Sequence, residues 1–293
     1  MKSEWTKVCS ALLLASSLTA TQAQSFLQDF DASNDLANNF NTYFNATPPL
    51  GSPYSQVGSG GVGNSGAVSV ALAGAAVTAD ATLIYKNLAF DFSTPGATLN
   101  IASMLNVSTQ TAGGNRLLQL GFVNESTNGM NGNAGIAFTS LRLSSAGTSG
   151  NIYTPQFQTK TAAGGTVNTT LTPNVTLTPG EWYELSGTFL NLGGGNIQAS
   201  GFLQDFGTDG QTAGSVVFNF PTTTISSTDI TSDSSVWGAV RGFKADGLNE
   251  VDNFSAGVVV VPEPSATALL VVGLGGFYLV PLLRGRQNII RKK

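Results

Sequence analysis

EWYELSGTFLNLGGGNIQASGFLQDFG, from Glu181 to Gly207, decides the fold. On either side of Gly193-Gly194-Gly195 lies a short segment in which apolar and polar residues alternate, the period of a half-buried β-strand. Three glycines between two such segments supply the turn of a hairpin, so NIQASGFLQDFG is expected to fold back on EWYELSGTFLNL. Consecutive residues of a strand face opposite ways, which predicts a core Trp182 and a surface Tyr183. Trp182, Tyr183 and Trp237 are also the candidate ligand aromatics, rings able to stack on the apolar side of a sugar.

Working outward, the same pattern recurs between clusters of Gly, Asn, Ser and Pro, and no helical period is sustained over three turns. Candidate strands are AVSVALAG from Ala67, TLIYKNLAFDF from Thr82, ATLNIASMLNV from Ala97, RLLQLGFVN from Arg116 and AGIAFTSLRLS from Ala134. GSVVFNFP from Gly214, VWGAVRGF from Val236 and EVDNFSAGVVV from Glu250 complete the set. With 35 glycines and only 10% charged residues, the composition favours short strands and tight turns over long amphipathic helices. The expected class is all-β, two packed antiparallel sheets filling residues 24–260 as one body.

The two ends read differently. Lys2 and Lys7 followed by the apolar VCSALLLASSLTA, then Thr21-Gln22-Ala23, follow the plan of a secretory signal peptide cleaved after Ala23 by signal peptidase. At the other end, VPEPS from Val261 to Ser265 precedes the uncharged run 266–283. As a helix this run would span about 27 Å, close to a bilayer core. The tail RGRQNIIRKK, residues 284–293, carries five cations that favour the cytoplasmic side. Proline-bracketed Glu263 enforces an extended backbone suited to a protease cleft.

Motif, apolar run and basic tail in this order resemble the PEP-CTERM sorting signal. That resemblance implies recognition of Pro262, Glu263 and Pro264 by an exosortase, a membrane transpeptidase-like protease. It also implies an inner-membrane intermediate on the way to the cell surface or extracellular matrix of a Gram-negative-type bacterium. Gln287 to Ile290 divides the tail into two basic clusters, where the family usually has one compact run.

Thr178-Pro179-Gly180-Glu181-Trp182-Tyr183-Glu184-Leu185 matches the pG-x-WY-x-L strand of laminin-G-like and concanavalin-A-like jelly rolls, and Val251-Asp252-Asn253-Phe254 resembles their closing strand. The resemblance implies a jelly-roll β-sandwich. In several such sandwiches a last-strand Asp and an acidic residue near the N-terminus hold one structural Ca2+, which maps to Asp252 with Asp29 or Asp31.

Charge and missing residue types narrow the chemistry. From Gln24 to Val261 there are six basic and fifteen acidic residues, a net of −9, which argues against a nucleic-acid partner and is compatible with cations. The single Cys9 precedes the apolar run of the signal, leaving the body no disulfide and no thiolate site. No histidine occurs anywhere, so imidazole bases and His-ligated zinc are excluded. A retaining glycosidase on such a fold typically presents Glu-x-Asp-x-Glu, and no such triplet occurs; Glu181 and Glu184 have odd spacing. The acids in QDFGTDGQ, STDITSD and KADGLNEVDN read as solvated turn residues or, alternatively, as oxygen donors for calcium, though none matches a fixed calcium loop, and Pro48 to Gly66 reads as a surface loop without function. The leading expectation is a non-enzymatic surface or matrix protein acting in adhesion or exopolysaccharide association. A carbohydrate-binding module is the alternative, and a carboxylate-dependent glycan hydrolase or lyase the second.

Overall fold

Glu181–Gly207 forms the expected hairpin. Trp182–Gly193 pairs antiparallel with Asn196–Asp205, from Tyr183 opposite Asp205 to Gly193 opposite Asn196. Leu185, Gly187, Phe189 and Asn191 are buried along the first strand while the residues between them are half-buried. The turn takes left-handed backbone three times running, with φ of 78°, 62° and 82° at Gly193, Gly194 and Gly195. Glycine alone adopts such a run without strain.

The computed structural model describes residues 23–47, 54–70, 78–109, 117–130, 135–146, 151–243 and 248–260. Among them are β1 (Gln24–Gln28), β2 (Phe40–Thr47), β3 (Tyr54–Val57), β4 (Ala67–Val70), β5 (Thr78–Tyr85), β6 (Ala97–Val107), β7 (Leu117–Val123) and β8 (Phe138–Ser145). There follow β9 (Ile152–Lys160), β10 (Thr166–Thr170), β11 (Val175–Thr176), β12 (Trp182–Gly193), β13 (Asn196–Asp205), β14 (Val216–Ser226), β15 (Trp237–Phe243) and β16 (Leu248–Val260).

These strands make two antiparallel sheets. Sheet A runs β14-β13-β12-β6-β16-β4-β3 with β1 also on β16, and sheet B runs β10-β9-β8-β7-β15-β5-β2 with β11 on β9. The chain changes sheet at β1 to β2, β2 to β3, β4 to β5, β5 to β6, β6 to β7, β11 to β12, β14 to β15 and β15 to β16, and early and late strands pair at the centre of both sheets. This is the all-β jelly roll expected from the sequence.

One core joins the inner faces. The Phe26 and Tyr85 rings stack at 3.6 Å, Phe122 meets Phe189 edge-on at 6.0 Å, and Phe157 meets Phe220 at 5.6 Å. Each pair spans the two sheets. Truncating one fully buried ring of this kind, such as Phe122, to Ala costs about 4 kcal/mol.

Three expectations need correction. The strand proposed from Thr82 through Phe92 ends at Tyr85, and Phe90 makes only an isolated bridge to Val236. Pro48 to Gly66 is more than a surface loop, because it holds β3, whose Tyr54 is buried, and a turn at Val62–Asn64. β9 and its edge partner β10 were not anticipated; Pro155 interrupts an otherwise regular alternation in β9 and reads as a break. The signal peptide, the motif Pro262, Glu263 and Pro264, the apolar run 266–283 and the basic tail lie outside the described residues. Ala23 is described and exposed. Among the described residues no helix is long and apolar enough to cross a membrane.

Candidate functional site

Alternation sorts the side chains of sheet B into two populations. Leu83, Leu118, Leu120, Phe122, Leu141, Leu143, Phe157 and Val240 enter the core. The residues between them, Thr82, Gln119, Ser140, Arg142, Gln156, Gln158 and Arg241, therefore occupy the opposite, outer face. Cross-strand register brings Gln119 opposite both Arg241 and Arg142, Ser140 opposite Gln158, and Gln158 opposite Asn168.

These polar groups form a continuous hydrogen-bonded belt across five strands. Arg241 Nη1 donates to Gln119 Oε1 at 3.1 Å. Gln119 Nε2 donates to Ser140 Oγ at 2.6 Å and to Gln158 Oε1 at 3.0 Å. Gln158 Nε2 in turn donates to Asn168 Oδ1 at 2.6 Å, and that oxygen also accepts from Arg142 Nη1 at 3.3 Å. Gln119 and Gln158 are buried, whereas Arg142 is half-buried and Asn168 on the edge strand is exposed. The belt thus has a fixed floor and a reachable rim.

Arg142 is the least satisfied member. Its Nη2 reaches Ser144 Oγ only at 3.4 Å, and its Nε is buried without a hydrogen-bond partner, as is Oε1 of the neighbouring Gln156. Burial, with the like charge of Arg241 adding to it, pulls the Arg142 guanidinium down to about 10. It remains a cation at neutral pH, held by neutral oxygens.

At the other end of the same face the belt gives way to apolar residues. Ile84, Val123, Met130, Ile136, Phe138 and Ala239 form a second cluster, and half-buried Trp237 packs against it. The segment after β7 lies over this end: Asn41 Nδ2 donates to the Ser126 carbonyl at 2.6 Å, and a Cβ on Gly129 would stand 2.4 Å from Thr82 Oγ1. Lys160 is buried here and donates to the Ile136 carbonyl at 2.8 Å.

The other two candidate aromatics fare differently. Tyr183, expected at the surface, is 3% exposed and belongs to the core. Its hydroxyl accepts from Thr178 N–H and donates to Glu181 Oε2, both at 2.9 Å, and burial pushes it up to about 12. Trp182, expected in the core, instead lies on the outer face, where a loop covers it and leaves it 2% exposed. Its N–H donates to the Gly207 carbonyl at 2.7 Å, its carbonyl accepts from Phe206 N–H at 2.9 Å, and Gly210 lies against the ring. Neither ring is a surface for stacking.

The candidate metal residues lie where β16 changes partner. β4 pairs with Glu250 and Val251, β1 pairs with Phe254 to Val258, and Asp252 and Asn253 fall in the gap, with Asn253 at φ 46°. There the ladder is replaced by side chains. Asp252 is fully buried; its Oδ2 accepts from Val62 N–H at 2.8 Å and Ser65 Oγ at 3.0 Å, and its Oδ1 from Asn253 N–H at 2.6 Å. Exposed Asp31 accepts from Gly66 N–H at 2.8 Å. Burial raises the Asp252 carboxyl to about 6, these donors pull it down, and Asp31 adds to the rise.

The turn Gly61–Gly66 thus brings Asp252 and Asp31 together. Asp29 stands outside, exposed, with its Oδ1 accepting from Asp31 N–H at 3.4 Å. The donor set, two carboxylates with Ser65 Oγ and the carbonyls of Val62 and Gly66 around it, is all hard oxygen and suits Ca2+ in kind. A Cβ placed on Gly61 would lie 2.4 Å from the Gly66 carbonyl, 2.7 Å from Asp252 Oδ2 and 2.9 Å from Ser65 Oγ. No group of three acidic side chains converges among the described residues.

Three of the other loop acids act as turn residues and a fourth ties two loops together. Asp205, Asp209 and Asp233 accept the N–H two residues on, and Asp229 accepts Ala162 N–H at 2.6 Å. A cleft of about 900 Å³ combines apolar Phe30, Leu36, Phe40 and Tyr54 with polar Asp31, Ser33, Asn34, Asn41, Thr42, Ser55 and Gln56. Gln56 is already bonded to Leu36 N–H and to the carbonyls of Phe30 and Ala32.

No family model and no curated protein matches this chain. Solved structures with a similar arrangement include peanut lectin bound to a nine-residue peptide, at 7% identity and TM-score 0.48 over 83% of this chain and all of that one. Lectin II from Ulex europaeus is 10% identical with TM-score 0.45, again over 83% of this chain and all of that one. An endo-1,3-β-glucanase from Streptomyces sioyaensis is 12% identical with TM-score 0.46 over 83% and 99%. At these values the likeness brings neither ligand nor reaction to this chain.

Proposed function

We propose that residues 24–260 are the carbohydrate-binding, non-catalytic body of an exported protein, delivered to the cell surface or extracellular matrix. The belt Arg241–Gln119–Gln158–Asn168–Arg142 carries this reading. Amide and guanidinium side chains fixed by one another on an outer sheet face present planar donors and acceptors at set spacings, as recognition of sugar hydroxyls requires. Half-buried Trp237 at the end of that face adds a ring against which a pyranose stacks. A glycan array probed with the full chain tests it. Retention of at least one glycan, lost in the Gln156→Ala/Asn168→Ala double variant, is expected; no retention, or retention unchanged in the double variant, overturns it. Turnover of a retained polymer, abolished by replacing an acidic pair, would make the protein an enzyme instead.

Delivery rests on the two ends. Signal peptidase cuts after Ala23, the run 266–283 arrests the chain in the inner membrane, and exosortase acts at Pro262-Glu263-Pro264. Deleting residues 261–293 is expected to keep the protein from the surface; unchanged surface delivery excludes the sorting role.

A structural Ca2+ is the second proposal, favoured by the oxygens gathered around Gly61. Asp252 and Asp31 would hold it, and the ion would pin the gap between β1 and β4. Calcium is expected to raise the melting temperature of the chain reversibly, with the rise absent in Asp31→Asn. A melting curve insensitive to millimolar calcium and to chelator removes the ion from the account.

A further inference from the structure

Taking the outer face of sheet B as a sugar-binding surface, we infer that its ligand is an acidic polysaccharide, bearing carboxylate or sulfate groups, and that Arg142 reads the acidic group. The first ground is the placement of charge. The body has six basic residues against fifteen acidic ones, yet Arg142, Lys160 and Arg241 share this one face, on β8, β9 and β15. In a body of net charge −9, three of the six cations on one sheet face concentrate positive charge there, Arg142 being the half-buried one, and concentrated positive charge attracts anions.

The second ground is how Arg142 is held. Its two amino nitrogens make long bonds of 3.3 and 3.4 Å to an amide and a hydroxyl oxygen, and its Nε makes none. Neutral, distant acceptors leave Nη1 and Nη2 weakly bonded, and a planar carboxylate or sulfate takes up that pair through two parallel N–H···O bonds. Asn168, exposed on the edge strand, orients Nη1, and the Gln119–Gln158 floor beneath prevents the side chain from folding back.

Affinity electrophoresis of the detergent-solubilised full chain tests the inference, with gels containing polygalacturonate, dextran sulfate, neutral dextran or polyaspartate. Retardation by an acidic polysaccharide is expected, with dextran inert. The carboxylated and the sulfated gels tell which acid is preferred. Arg142→Ala should weaken retardation about tenfold, the loss of one charge-assisted pair. Arg142→Lys should weaken it about threefold, since the charge remains without the fork. Asn168→Ala, on the exposed edge, gives the same direction without touching the core. Retardation by dextran alone overturns the acidic ligand while leaving a sugar-binding face intact. No retardation in any gel overturns both. Equal retardation by polyaspartate, or wild-type behaviour of both Arg142→Lys and Asn168→Ala, reduces the face to plain ion exchange and overturns the inference.

Discussion

Asp252 in sheet A and Arg142 in sheet B are both ionised side chains on outer faces, but the fold treats them in opposite ways. Asp252 is sealed and accepts three donors, each from a backbone or hydroxyl group that has no ladder partner where β16 passes from β4 to β1. Arg142 is half-buried, makes two long bonds and leaves one nitrogen unused. A charge bonded mainly within the fold works for the fold; one kept short of partners on an open face is available to something else.

The sharpest way to break this contrast is at Asp252. Both its oxygens accept, and an Asn amide has a single acceptor, so Asp252→Asn turns an NH2 group toward either Val62 or Asn253 N–H. The expected loss is about 3 kcal/mol, or on the order of 10 °C in melting temperature for a body of this size, with sugar binding unchanged; calorimetry and the glycan array check both. Gln119→Ala probes the belt from below. It strips an acceptor from Arg241 and a donor from Ser140 and Gln158, and is expected to cost about 2 kcal/mol of stability by thermal melting as well as binding. Asp31→Asn keeps an acceptor for Gly66 N–H and should cost under about 1 kcal/mol without calcium. At the rim, Asn168→Ala should change stability by less than about 0.5 kcal/mol while lowering affinity. Trp237 and Trp182 separate by fluorescence. Acrylamide should quench mainly half-buried Trp237, and saturating polysaccharide should protect it, an effect lost in Trp237→Phe and kept in Trp182→Phe.

Much of sheet A was legible because its evidence is local. The hairpin Trp182–Asp205 has alternation and glycines within one stretch, and β16 lies in the closing run around Val251-Asp252-Asn253-Phe254. Sheet B was harder. β9 carries its inward series in Tyr153, Pro155 and Phe157, with Pro155 opposite Leu143, and ignoring the proline would have revealed the period. The belt itself was not legible, since Gln119, Arg142, Gln158, Asn168 and Arg241 sit on five strands and meet only through register. For Trp182 and Tyr183 the alternation held but the faces were exchanged: Tyr183, expected at the surface, enters the core, and Trp182, expected in the core, is buried on the other face. Sequence period puts neighbours on opposite faces, whereas a covering loop such as Phe206–Gly210 is a tertiary matter. The oxygen cluster at Asp252 was foreseen for two of its members, but its backbone donors come from a glycine-rich turn whose role no local pattern announces.

β16 lies at the middle of sheet A and at the end of the body, between β6 on one side and β1 and β4 on the other. Gln24, at the start of the first strand, is paired with Val258 near the close of the last. For a chain that emerges N-terminus first, sheet A therefore cannot close until residue 260 is free; before then β1 has no strand to pair with and the β3–β4 pair is not joined to β6. Pairing across the whole length makes closure slow, so the order of strands acts as a timer. Sheet B contains no part of β16, so it is sheet A alone whose completion waits for the final strand.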